Sequence, residues 1–218
     1  MGQKFASLHI RTNNVNDVIN ALNTLKKKPK SKDNTDKFTK FINIIDKPTE
    51  TLDNEKVEMI KGLFSMIDEF SNTFFIIEYQ NNWISIYSES FNWEDIDKKG
   101  IKVSKSINCP ILSVGYFDDD ILKLDIIKDG KVITRHYEGD NIESCFGIKN
   151  ITADFDLIIE TFNLNFNLED FKGIIMNRDL ETKVEKLEHI LNIGFVIDDY
   201  DIEVLEKEIP LPVYKVTL

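Results

Sequence analysis

Three consecutive carboxylates, Asp118, Asp119 and Asp120, are the first residues whose types and spacing suggest chemistry. Closely spaced carboxylates repel one another, and a hard cation such as Mg²⁺ or Ca²⁺ relieves that repulsion. The alternating acids, central glycine and final glutamate of a calcium-binding loop are absent here. Aspartates are also turn formers, because their side chains accept hydrogen bonds from nearby backbone N–H groups. A plain turn is therefore the commoner explanation, and a metal site is the alternative.

A second candidate pairs Asp125 with His136. Asp129 and Gly130 lie between two apolar segments and predict a two-residue hairpin turn. In the register set by that turn, Asp125 and His136 share one face of the sheet, one diagonal step apart. A histidine oriented by a carboxylate can act as a general base. No nucleophile is evident beside the pair, so a paired surface histidine without a catalytic role is the commoner case.

A third candidate is an aromatic set on an earlier hairpin, formed by segments 74–80 and 83–88. Adjacent Asn81 and Asn82 tolerate the positive φ of a two-residue type I′ turn, which would pair Tyr79 with Ile84. Such a register places Glu78, Trp83 and Tyr87 together on the reverse face. Exposed aromatic residues among polar groups are typical binding anchors. Helices from residues 152–191 covering this face are the favoured alternative, because large aromatic residues are usually buried.

The best-known catalytic motifs are missing. The sequence has no GxGxxG or GxxxxGK[ST] phosphate loop, no GxSxG elbow and no HExxH zinc helix. Its two cysteines, Cys109 and Cys145, do not form a CxxC pair. These absences exclude only the families that carry the motifs, but they disfavour a nucleotide-dependent enzyme or a hydrolase. We therefore predict no cofactor, no resident metal and no catalytic residue.

Charge is distributed unevenly along a chain whose formal net charge is −11. Residues 1–51 carry ten Lys/Arg and five Asp/Glu, whereas residues 52–218 carry seventeen and thirty-three. An acidic body repels nucleic acid and anionic lipid and attracts a basic protein. Acidic residues also cluster at 138–143 and 198–201. The usual explanation is a solvated surface, and the more specific alternative is a docking site for a basic protein.

The expected location is the bacterial cytoplasm. The start of the chain lacks a secretory signal, and no apolar run reaches the roughly 18 residues that span a bilayer. Lysine greatly outnumbers arginine, and Asn, Ile and Asp are abundant, as in proteins encoded by AT-rich genomes. We therefore expect a bacterial source and no membrane contact.

Hydrophobic periodicity predicts an α+β fold. The order is βα, a helical insertion at about 37–70, then ββαβ and an added β-hairpin. Without the insertion this is βαββαβ, the ferredoxin-like arrangement with a mixed or antiparallel sheet that helices cover on one face. Residues 1–148 would form the sheet domain. Residues 149–218 would form a helical C-terminal region, either separate or packed on the same core.

Two functions remain open from the sequence. The first is a non-catalytic interaction protein, like an immunity protein or antitoxin, that binds a basic protein partner through its acidic turns and aromatic residues. The second is a metal-dependent enzyme or small-molecule binder. Its site would use Asp118, Asp119, Asp120, Asp125 and His136.

Overall fold

A computed structural model of the chain describes residues 4–25, 73–196 and 211–218. Within these ranges the strands are β1 (Lys4–Arg11), β2 (Thr73–Tyr79), β3 (Trp83–Tyr87), β4 (Ile111–Phe117), β5 (Ile121–Lys128), β6 (Lys131–Gly139) and β7 (Val213–Thr217). The helices are α1 (Val15–Leu22), α2 (Ile96–Ser104), α3 (Ile142–Phe146), α4 (Phe155–Phe162), α5 (Leu168–Ile175) and α6 (Leu180–Leu191). The predicted insertion at 37–70 and the acidic cluster at 198–201 lie outside the described residues.

The seven strands form one antiparallel sheet in the order β6-β5-β4-β1-β3-β2-β7. This sheet, packed with helices, confirms the α+β class. Its four central strands have the order β4-β1-β3-β2, with α1 between β1 and β2 and α2 between β3 and β4. The narrower ferredoxin-like description stays a prediction. Strand β7 lies at an edge, as the prolines beside it predicted.

Helices cover both faces of the sheet. The ferredoxin-like arrangement predicts helices on one face, and the favoured alternative for the reverse face, a cover of helices from 152–191, accounts for the other. Leu8, Ile10 and their neighbours pack with α1 and α2, and the opposite face packs with α4, α5 and α6. The C-terminal helices therefore share a hydrophobic core with the sheet. None of the described helices is long and apolar enough to cross a membrane.

The helix boundaries follow local chemistry. Asn14 caps α1 as predicted, because its side chain accepts the Asp17 N–H. The sequence pattern favours Thr152 as the cap of α4, but the cap is Asp154, whose carboxylate accepts the Leu157 N–H at 3.0 Å. Helix α6 ends at Asn192, which adopts a left-handed φ of 54°, two residues before the predicted Gly194.

Gly100 allows α2 to approach the sheet closely. A Cβ built at this position would lie 2.6 Å from Ile127 Cδ1 and 3.2 Å from Leu8 Cδ2. Helix α2 continues through Gly100 without a break. A glycine inside an apolar helical stripe indicates either close packing or a break in the helix, and here the close packing is confirmed and the break is wrong.

The first hairpin is one residue out of the predicted register. Asn81 and Asn82 have positive φ as expected, but the loop has three residues, because Gln80 belongs to it. Tyr79 therefore pairs with Trp83 and not with Ile84. Because directly paired residues share a face, Trp83 and Tyr87 lie on the side of Tyr79, and Glu78 lies on the opposite side. The predicted grouping of Glu78 with Trp83 and Tyr87 is wrong.

The second hairpin has the predicted turn and a different register beyond it. Asp129 and Gly130 have φ of 51° and 73°, as a type I′ turn requires. Between Ile126 and Ile127 the register shifts, so that a β-bulge leaves Ile133 unpaired. His136 then pairs with Leu124, and Asp125 pairs with Arg135. Asp125 and His136 consequently lie on opposite faces, and their predicted pairing is wrong.

Candidate functional site

Asp125 is fully buried on the α2 side of the sheet. The Tyr137 hydroxyl lies 2.9 and 3.0 Å from its two carboxylate oxygens, and Arg135 Nε lies 3.3 Å from Oδ1. Burial raises the pKa of Asp125 to about 6, although the Tyr137 hydrogen bond and the Arg135 charge oppose the change. The carboxylate is thus held inside a hydrogen-bonded network, where it supports the structure.

Lys123 connects this network to the segment before α2. Its buried ammonium donates to the Glu94 carbonyl at 3.0 Å and lies 5.0 Å from the Tyr137 ring centroid and 5.8 Å from that of Trp93. Burial lowers the pKa of Lys123, because the charged form has lost water. Lys123, Trp93 and Tyr137 therefore hold in place the segment that leads into α2.

His136 lies on the other face, beneath α4 and α6. Its Nε2 lies 3.0 Å from Glu138 Oε2, the same oxygen that pairs with the buried ammonium of Lys183. Desolvation raises the pKa of Glu138, but the hydrogen bonds from His136 and Lys183 outweigh it and lower the pKa overall. Nδ1 of His136 has no hydrogen-bond partner in the part of the chain that the structure describes. This cluster joins β6 to α6 inside the protein.

Trp83 and Tyr87 are buried beneath the C-terminal helices. Trp83 is 1% exposed and packs against Phe162 of α4, with ring centroids 5.0 Å apart. The Tyr87 hydroxyl donates to the Gly194 carbonyl just after α6. Helices from 152–191 therefore cover this face at Trp83 and Tyr87, as the favoured alternative held. Neither residue forms an exposed binding anchor.

Glu78 has a structural partner on the edge strand. Its carboxylate accepts the Tyr214 hydroxyl, and its N–H donates to the Pro212 carbonyl at 3.1 Å. These bonds hold β7 against β2, so Glu78 belongs to the sheet edge and lies apart from the other predicted residues.

Asp118, Asp119 and Asp120 form the turn between β4 and β5. Asp118 and Asp119 have positive φ, which aspartate tolerates better than most residues. Asp119 accepts the Tyr116 hydroxyl at 3.1 Å, and both Asp119 and Asp120 are exposed. Among residues 4–25, 73–196 and 211–218, no three His, Cys, Asp or Glu side chains are arranged to hold a metal ion.

An aromatic cluster that sequence reasoning missed lies beside this turn. The ring centroid of Phe146 is 5.2 Å from that of Trp93 and 5.6 Å from that of Phe117. Phe146 is 39% exposed, although it is a large apolar residue on the short helix α3. The helix that carries it has only five residues, so the spacing of Ile142 and Phe146 is too short a pattern to predict a helix; its position just after the acidic run at 138–143 was the available signal.

Acidic residues lie close to this cluster in the chain, in the turn between β4 and β5 and at the start of α3. A side chain at Gly139 would collide with the Asp120 carbonyl, so the β4–β5 turn touches the end of β6, where Asp140 and Glu143 lead into α3. We define the acidic aromatic patch by its aromatic base and the acidic residues next to it in the chain, which we call its rim: Trp93, Phe117, Phe146, Asp118, Asp120, Asp140 and Glu143. The Lys4 ammonium lies 4.2 Å from the Phe117 ring centroid, so a cation already occupies a favourable position at one ring.

Fold and patch together define an α+β protein with a sheet covered on both faces and an exposed, acid-rimmed aromatic surface. No protein-family model, curated protein or solved structure matches the chain.

Proposed function

We propose that this chain is a non-catalytic bacterial cytosolic interaction protein whose acidic aromatic patch binds a basic protein partner, like an immunity protein or antitoxin. The observation that supports this function is the exposed Phe146 ring, which rests on Trp93 and Phe117 next to the acidic rim. A rigid aromatic anchor surrounded by charge is a common arrangement at protein interfaces.

The two parts of the patch have different roles. Phe146 and Phe117 lose contact with water when a partner covers them, and this burial slows dissociation. The rim carboxylates, together with the net charge of −11, speed the approach of a basic surface. The same charge disfavours an acidic partner or a nucleic acid.

The arrangement of the other titratable groups also supports binding over catalysis. Asp125 and His136 lie on opposite faces of the sheet, and both are buried with partners of their own. A general base acts on a substrate within hydrogen-bond reach, and neither residue opens to such a position.

Phe146→Ala tests the patch, with Met176→Ala as the matched control. Met176 is the most exposed large apolar residue described, at 68%, and it follows α5, outside the patch. We expect immobilised wild-type protein to capture a basic protein from the native host at low salt. With that partner purified, calorimetry should show that Phe146→Ala weakens binding by about 2 kcal/mol and that Met176→Ala does not weaken it.

Charge variants test the rim separately. Replacing Asp120 and Asp140 by Asn and Glu143 by Gln should slow association several-fold at low salt and flatten its salt dependence, while dissociation changes less. An acidic partner, or a basic partner bound equally well by wild-type protein and Phe146→Ala, would contradict the proposal.

A further inference from the structure

A cleft of about 460 Å³ opens at the C-terminal end of α6, beside the end of β2. Its volume lies within the range of small-molecule sites. We call it the α6 cleft and define it by its lining residues: Tyr79, Gln80, Glu188, His189, Asn192, Ile193 and Leu211. Since Tyr79 ends β2 while Phe117 ends β4 at the other end of the sheet, the cleft is remote from the acidic aromatic patch.

Glu188 supplies a fixed negative charge in this cleft. Its Oε1 accepts the backbone N–H groups of Phe195 and Val196, which hold the carboxylate in place. Within the described residues, no lysine or arginine forms an ion pair with it. Burial raises the pKa of Glu188, because its ionised form has lost water that no cation replaces.

The end of α6 adds to the same preference. Asn192 terminates the helix in a left-handed conformation, so the partial negative charge of the helix C-terminus lies at the cleft. A helix C-terminus and a carboxylate both favour a positive charge between them.

Tyr79 contributes a hydrogen-bond acceptor. The Tyr87 hydroxyl donates to the Gly194 carbonyl, so its oxygen is available to accept the Tyr79 hydroxyl, 3.3 Å away. The Gly194 backbone N–H also interacts with the Tyr79 oxygen. With its own proton directed inward, that oxygen keeps a second lone pair that can accept an N–H from the cleft. Tyr87 is itself fixed, because it is buried within the sheet.

From this geometry we propose that the α6 cleft binds a small organic cation, an alkylguanidinium or alkylammonium group. Glu188 pairs with the charge, and the Tyr79 oxygen accepts one of the N–H groups of the cation. The apolar side chains of Ile193 and Leu211 line the cleft and contact the methylenes. This inference goes beyond the proposed protein partner, since the cleft and the patch are different surfaces.

Calorimetry with agmatine and butylamine tests the proposal, with succinate and butanol as ligands of the wrong charge. Because the whole protein is acidic, it attracts any cation to some extent. The decisive comparison is therefore between Glu188→Gln, near the C-terminal end of α6, and Glu181→Gln, near its N-terminal end; each variant removes one negative charge. Losing one charge-assisted contact should weaken agmatine binding about ten- to a hundredfold in Glu188→Gln. Glu181→Gln should bind as wild type does, and Tyr79→Phe should show an intermediate loss.

Amide chemical shifts locate the bound cation independently of affinity. Agmatine should perturb Tyr79 and residues 188–193 in a saturable way. The cation could come from an arginine side chain of a protein or from a free metabolite. Binding of a blocked arginine, which lacks free termini, would indicate the protein side chain. Absence of saturable binding, equal losses in Glu188→Gln and Glu181→Gln, or shifts confined to the acidic aromatic patch would overturn the proposal. If Glu188→Gln fails to fold, Tyr79→Phe and the shift map decide.

Discussion

Two buried groups give this protein opposite responses to pH. Burial lowers the pKa of His9 from 6.5 to about 3, so the folded state stays unprotonated while the unfolded state gains a proton below pH 6.5. Stability due to His9 therefore falls as the pH decreases. Burial raises the pKa of Asp125 from 3.8 to about 6, so the folded state keeps its proton longer, and stability due to Asp125 falls as the pH increases through this range.

Asp125→Asn should expose the contribution of His9. In the wild-type protein the two effects oppose each other between about pH 4 and pH 6, and the variant loses the Asp125 component. From pH 6.5 to pH 4, we expect urea denaturation to show about 2–3 kcal/mol more loss of stability in the variant than in the wild-type protein. Asp156→Asn, at an exposed position on α4, is the matched control. Parallel pH profiles of Asp125→Asn and wild type would contradict this assignment.

At the scale of elements, the turn residues were predictable and the strand registers were not. Asn81, Asn82, Asp129 and Gly130 all adopt the positive φ that their types suggested. The three-residue loop that includes Gln80 and the bulge at Ile133 arise from strand twist and packing, which no short pattern encodes. A shift of one residue reverses every side chain, so the candidate pairs lost their shared faces.

Helix α6 is tied to β6 by an ion pair whose partners differ in exposure. Lys183 is fully buried, whereas Glu138 keeps about a third of its side chain in water, at 32%. Removing Glu138 strands a buried ammonium, while removing Lys183 leaves a carboxylate that water and His136 still reach.

Glu138→Met should therefore destabilise the protein more than Lys183→Met. Breaking a buried pair while leaving the other charge inside costs about 3–5 kcal/mol, and we expect about half of that for Lys183→Met. Lys186→Met, an exposed change on the same helix, should alter stability by less than about 0.5 kcal/mol. Thermal unfolding measured at one pH for all three variants gives the order. Equal costs for Glu138→Met and Lys183→Met would show that burial does not govern the pair.

At the scale of the whole molecule, the inner strands β3, β4 and β5 have little contact with water on either face, and this determines which site residues were predictable. Strong apolar strands such as Ile111–Phe117 indicated burial, and the C-terminal helices were visible as separate patterns. Their docking onto the face of Trp83 depends on tertiary packing, so the sequence predicted the burial of that residue only as the favoured of two alternatives. Phe146 was not predicted as a surface residue, because its exposure depends on the position of the short helix α3 that carries it.

Excess negative charge should limit the stability of the folded protein at low ionic strength. Folding brings the carboxylates of the patch and of α6 together, so their repulsion is stronger than in the extended chain. Raising NaCl from 10 to 150 mM shortens the screening distance from about 30 to about 8 Å. We expect a gain of about 1 kcal/mol, which is a rise in Tm of about 2–4 °C for a chain of this size.

Screening also predicts that the nature of the cation is unimportant. Choline chloride should therefore raise Tm as much as NaCl does, because neither needs a specific site. The variant with Asn at 120 and 140 and Gln at 143 should start from a higher Tm at low salt and rise less, since it carries three fewer negative charges. A rise that occurs with NaCl alone would instead indicate specific sodium binding, and an unchanged Tm would show that repulsion between these carboxylates is negligible in the folded state.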